Sequence, residues 1–221
     1  MWYADKAIEE GLSISMLENR LELKNYERQA GEEKSSNFER LLPKPHGELV
    51  QETLKSPYIF DFIEMHEDII EREIEQELIA QIAKTLLELG TGFAFIGNQY
   101  RLTISDEDYY LDLLFYNTKL RCYVVVELKA GKFKPEYAGK LNFYLSAVDD
   151  LLKHEQDQPT IGILLCKQRD KITAEYALRD INKPIGVSEY KLSDFVPKEL
   201  VDTLPSAEDI ENRIREKYRI D

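Results

Sequence analysis

Cysteine is scarce: the 221 residues hold two, Cys122 and Cys166. Each lies inside a β-type run, and neither belongs to a CxxC pair or a Cys/His cluster. That excludes a disulfide framework and a structural zinc site, and leaves two buried reduced thiols. The histidines, His46, His66 and His154, are scattered with no ligand spacing. Long apolar runs are missing too. Val124-Val125-Val126 falls far short of the ~20 residues that span a bilayer. The opening residues Met-Trp-Tyr-Ala-Asp-Lys lack a basic-then-apolar leader, so the expected location is the cytoplasm, with no membrane partner. Positive charge is in short supply: 29 Lys and Arg face 42 Asp and Glu, for a net charge of −13. A generic nucleic-acid binder with an overall basic footprint is therefore excluded.

The charge is nevertheless uneven. Residues 61–90 carry nine acids and two bases, whereas residues 119–140 carry six bases and two acids. A local positive patch thus coexists with an acidic whole. Hydrophobic residues make up 43% and charged residues 32%, the balance of a chain that folds around a core.

Periodicity divides the chain. Residues 3–10 and 13–29 read as short helices, and the prolines at 43, 45 and 57 mark breaks. The expected organisation is a helical N-terminal region over 1–50, a main domain over 51–200 and a charged helix or tail over 201–221. Within the main domain, Ile69, Ile70, Ile74, Leu78, Ile82, Leu86 and Leu89 form a helical stripe. It predicts one long helix over 61–89, ended by Gly90 and Gly92. Strands are expected at 93–103, 109–116 and 121–129. A helix then starts at Pro135, followed by a strand at 160–166, a helix at 172–180 and a strand at 185–192. Short links between the first three strands imply hairpins, and the helical crossover implies parallel pairing. The expected fold class is therefore α/β, a mixed central sheet flanked by helices in the order α-β-β-β-α-β-α-β.

Two strands carry charge where apolar residues are the rule. Asp112 interrupts Tyr110-Leu111-Asp112-Leu113-Leu114-Phe115, and Glu127 and Lys129 interrupt Val124-Val125-Val126-Glu127-Leu128-Lys129. Residues i and i+2 of a strand share a face, so Glu127 and Lys129 point the same way. A turn near residue 118 or 119 pairs Asp112 with residues close to 125 or 126, within a residue or two of Glu127. Two carboxylates and the Leu128 carbonyl are hard oxygen donors of the kind Mg²⁺ takes, and Mn²⁺ can substitute. Such an ion activates water and stabilises phosphate charge, and a neighbouring ammonium such as Lys129 adds to both. The bland alternative is a surface salt bridge between Asp112 and Lys129. Glu77 and Glu88 lie eleven residues apart, on one helical face, and Glu77 is the favoured fourth catalytic member. Gln99, Lys132, Lys134, Lys140 and Tyr144 are candidate substrate contacts. For these the alternatives are an edge residue, ordinary surface lysines and a half-buried tyrosine.

At these residues the chain resembles the YhcG-like PDDEXK nuclease family. The matching stretches include Leu111-Asp112-Leu113-Leu114-Phe115-Tyr116, Val126-Glu127-Leu128-Lys129 and Pro135-Glu136-Tyr137-Ala138-Gly139-Lys140. Ile161-Gly162-Ile163-Leu164-Leu165-Cys166 and Lys183-Pro184-Ile185-Gly186-Val187 follow in the same order. The resemblance implies a restriction-endonuclease-like core and a Mg²⁺-dependent centre. In it Asp112 and Glu127 ligate the metal, and Lys129 orients water or stabilises charge. Leu111 stands where the motif has proline, and the helical N-terminal region is expected to be shortened. The leading expectation is a DNA endonuclease, with a homodimer as the expected partner state. A catalytically silent binding module on the same fold and an RNA-directed, toxin-like nuclease stand beside it.

Overall fold

The computed structural model describes residues 34–64 and 69–193, with Ile8 and Ile14 singly. Apart from those two isoleucines, the expected N-terminal helices and the tail over 201–221 lie outside the described residues.

A short strand β1 (Ser35–Ser36) leads into helices α1 (Phe38–Leu41) and α2 (His46–Thr53) and then strand β2 (Tyr58–Glu64). Helices α3 (Glu71–Ala80) and α4 (Ile82–Leu89) follow, then strands β3 (Phe93–Ile104), β4 (Glu107–Asn117) and β5 (Cys122–Lys132). The chain continues through α5 (Pro135–Leu151), β6 (Ile161–Gln168), α6 (Lys171–Leu178) and β7 (Ile185–Ser193). The sheet order is β1-β7-β6-β5-β4-β3, with β2 paired to β7 off this path. β3, β4 and β5 are joined by tight turns and run antiparallel, while β5, β6 and β7 are parallel. The helical links α5 and α6 make the parallel register possible.

The central strands alternate between two buried faces. Leu113, Phe115, Val124, Val126, Ile163 and Leu165 pack with Ile74 and Leu78 of α3 and with Phe38, Leu42, Val50 and Leu54. Leu114, Val125, Leu164 and Val187 pack with Leu141, Leu145 and Val148 of α5 and with Ala174 and Leu178 of α6. Both faces are covered, which is why these strands read as nearly continuous apolar runs. Pro135 opens α5, and Asp170 caps α6 by accepting from the Thr173 N–H at 2.8 Å.

One expectation needs correcting. The single helix over 61–89 is a strand followed by two helices. Tyr58, Phe60 and Ile63 are buried on β2, which lies parallel to β7. The helical run breaks at Gln81 (φ −115°, ψ 42°), whose side-chain amide donates to the Phe62 carbonyl at 3.1 Å. Val50, beside the expected division, lies inside α2 and packs in the core. Among the described residues no helix is long and apolar enough to cross a membrane.

Candidate active site

The antiparallel ladder of β4 with β5 runs from Asn117–Cys122 to Leu113–Val126. One step further sets Asp112 across from Glu127, one to two residues beyond the expected pairing. There the two strands stop exchanging backbone bonds and side chains take over. The Leu128 N–H donates to Asp112 Oδ2 at 2.8 Å, and the Asp112 N–H donates to Glu127 Oε1 at 3.4 Å. The fork in the sheet is thus held open by the two acids themselves.

Lys129 lies on the same face as Glu127, as the strand period requires. Its Nζ is 3.7 Å from Glu127 Oε2 and 3.9 Å from Asp112 Oδ2, and it donates to the Leu128 carbonyl. Three oxygens therefore converge on one cationic nitrogen. Tyr190 Oη donates to the Lys129 carbonyl at 3.3 Å, and the Lys129 ammonium lies 5.5 Å from the Tyr137 ring centre. From α5, Lys140 Nζ reaches Glu127 Oε2 at 3.2 Å, with the Tyr144 ring 5.0 Å beneath it.

Electrostatics follow from burial. Glu127 is 1% exposed, and burial pushes its carboxyl up to about 7; repulsion from Asp112 adds to this, while Lys140 and Lys129 oppose it. Burial also raises Asp112, against the pull of the Leu128 N–H, Lys129 and Lys140. For Lys129 and Lys140 burial works to lower the pKa, but the carboxylates, Asp112 and Glu127 for the former and Glu127 for the latter, outweigh it and both are raised.

The structure brings Asp112, Glu127, Leu128, Lys129 and Lys140 together. It does not bring Glu77, which is exposed on α3. The acids that do face the site are Glu71 and Glu75, both missed from the sequence. Glu71 Oε2 accepts from Lys129 Nζ at 3.0 Å, and its Oε1 accepts from the Ala130 N–H at 3.3 Å. Glu75 is buried and raised, by burial first and by Asp112 in addition, against its bonds from Gln99 and Asn98. Glu88 is likewise remote from the centre. It is buried against Lys55, with its Oε1 accepting from the Ile59 N–H at 2.8 Å.

Gln99 sits across from Asp112, between the Asn98–Leu113 and Tyr100–Leu111 pairs. Its backbone is left-handed (φ 41°), uncommon for a residue with a side chain, and its amide donates to Glu75 Oε2 at 2.6 Å. Lys132 and Lys134 are exposed just beyond the site on the strand end and the loop. Tyr144, expected as a substrate contact, is 4% exposed and lies beneath Lys140, so it offers little surface of its own.

The donor set fits a hard divalent cation. Among the described residues no group of three or more His, Cys, Asp or Glu is arranged to hold a metal. Two carboxylates with the Leu128 carbonyl would offer such an ion part of a hard oxygen shell, the rest coming from water or phosphate.

A YhcG PDDEXK nuclease domain profile matches residues 51–205. The protein YhcG of Escherichia coli (strain K12) is 32% identical over 219 residues, covering 99% of this chain; this chain spans 58% of that relative's length. Among solved structures, a repair endonuclease from Pyrococcus abyssi aligns with TM-score 0.38 and 19% identity, over 58% of this chain and 50% of that one. The EndoMS–dsDNA2 complex aligns with TM-score 0.38 and 16% identity, over 60% and 49%. The chain belongs to the YhcG-like PDDEXK nuclease family.

Proposed function

We propose that the chain is a Mg²⁺-dependent endonuclease that hydrolyses phosphodiester bonds in DNA, with Asp112, Glu127 and the Leu128 carbonyl holding the ion. The observation that carries this reading is the convergence of those three oxygens on the Lys129 ammonium. When bound, the ion supplies Lewis-acid stabilisation of phosphate charge and a water that deprotonates near neutral pH. Lys129, tethered by Glu71, holds its ammonium beside the carboxylates, where it orients the attacking water and offsets developing negative charge. Lys140 reaches the same carboxylate from α5 and, being about half exposed, is free to meet a phosphate oxygen as substrate enters. Gln99 fixes Glu75 beside Asp112. Lys132 and Lys134 meet the phosphate backbone outside the centre. We take a pair of copies, one centre for each strand of a duplex, as the acting unit.

The test is cleavage of plasmid DNA with Mg²⁺ or Mn²⁺, beside single-stranded DNA and RNA, in wild type and Lys129→Ala purified identically. Nicking by the wild type, lost with chelator and reduced about a hundredfold or more in Lys129→Ala, is expected. Equal activity in both preparations means a contaminant and ends the proposal. Binding without cutting assigns a silent module, and cutting confined to RNA assigns the other substrate class.

A further inference from the structure

A cavity of about 510 Å³ opens at the far edge of the sheet, where β1, α1 and α2 meet α6. It is three strand spacings from β5, about 15 Å across the sheet, so it is separate from the carboxylate centre. Its size suits a nucleotide-scale ligand.

Three cations line it: Lys34, Arg40 and Arg179. Lys34 is partly buried, and its Nζ donates to the Gln51 carbonyl at 2.7 Å. Among the described residues no carboxylate lies within ion-pair distance of it, and burial lowers its pKa to about 8, against a pull from Glu52. Gln51 is fixed in turn, its side-chain oxygen accepting from the Ser36 hydroxyl. One nitrogen of Arg40 is pinned by the Leu178 and Ile181 carbonyls at 3.0 and 3.1 Å, which aims the rest of the guanidinium. Arg179 is exposed and stacks on Tyr176, 4.4 Å from the ring centre. Two acids, Glu39 and Glu175, share the rim, and both are exposed. Water screens those acids more than it screens Lys34, so the partly withdrawn ammonium dominates the field inside.

We propose that this cavity binds the phosphate of a phosphorylated ligand, with Lys34 at its base and Arg40 and Arg179 closing on the phosphate oxygens. A fixed guanidinium and a partly buried ammonium, with no carboxylate within ion-pair distance of it among the described residues, are donors that recognise phosphate with charge-assisted hydrogen bonds. Phosphate of this kind comes either from a free nucleotide or from a nucleic-acid backbone. The inference does not depend on the nuclease reading.

The full chain is titrated with sodium phosphate, with deoxyadenosine monophosphate and with a short DNA duplex, against sodium chloride at equal ionic strength. Calorimetry is run on wild type, Lys34→Met, Arg179→Gln and Glu127→Gln. Saturable binding that weakens about tenfold in Lys34→Met and in Arg179→Gln, but not in Glu127→Gln, is expected for at least one probe. The probe that shows it identifies the source. Arg179 is exposed, so its variant folds and decides the matter if Lys34→Met does not. Binding unchanged by Arg179→Gln, or no binding above the chloride control, overturns the proposal. Plasmid cleavage is the separate readout of the carboxylate centre, so failure here leaves that centre untouched.

Discussion

Burial raises Glu127 to about 7 from an ordinary 4.5, so the folded chain holds that proton more tightly than the unfolded chain does. Stability from this group is therefore full at acidic pH and is lost as pH rises from about 4.5 through about 7. In chelator, the melting temperature of wild type should fall between about pH 5 and pH 8 by more than that of Glu127→Gln, a difference of about 1–3 kcal/mol. Added Mn²⁺ should restore the wild type at about pH 8, do less at about pH 5, and do little for the variant. Parallel melting curves for the two proteins would show that the carboxyl is not desolvated.

The strand acids were legible because a period of two makes Glu127 and Lys129 share a face, and because a charge inside an apolar run has few structural uses. The helix acid was not. At about 100° per residue, Glu75 and Glu77 flank the Ile74–Leu78 stripe by nearly equal angles on opposite sides. Only packing against the strand ends, through Gln99 and Asn98, selects Glu75. Glu75→Gln is expected to lower the cleavage rate about tenfold or more, and Glu77→Gln to change it less than about twofold. The reverse ranking would return Glu77 to the centre.

At the scale of elements, α5 determines where Lys140 stands, and Gly162 determines how closely α5 sits. A Cβ at Gly162 would meet Leu141 Cδ2 at 2.7 Å, Leu141 Cγ at 2.9 Å and Leu145 Cδ1 at 3.0 Å. Gly162→Ala must push the helix away from β6, at a cost of about 1–3 kcal/mol measurable by denaturant unfolding. The same shift draws Lys140 back from Glu127, so cleavage should fall beyond what lost stability explains. An unchanged midpoint would mean that α5 is not seated so tightly. This contact was invisible in the sequence, where Ile-Gly-Ile-Leu-Leu reads as any buried strand. The break at Gln81 was equally hidden. Gln-Ile-Ala-Lys is compatible with helix, and the chain turns there because the Gln81 amide is drawn to β2.

At the scale of the molecule, the paired hairpins and crossovers of residues 93–193 were readable because each element carries its own period and its own turn. The part played by residues 35–54 was not, because two prolines and a polar stretch there look like a linker. In the folded chain these residues close the core over β7. Phe38, Leu42 and Val50 are 1%, 4% and 0% exposed. Phe38 and Leu54 sit so close that a Cβ at Gly186 would meet each at 2.9 Å. Asn37 accepts from the Ile185 N–H at 2.7 Å and donates to the Lys183 carbonyl at 3.1 Å. A chain begun at residue 51 loses all but Leu54 of these. Three buried side chains at about 1.5–3 kcal/mol each amount to much of the 5–15 kcal/mol that holds a typical domain together. Such a chain should show no cooperative thermal transition and lose its near-ultraviolet circular dichroism, whereas the full chain should keep both. Cooperative unfolding of the shorter chain at an undiminished temperature would make residues 35–50 an appendage to the domain.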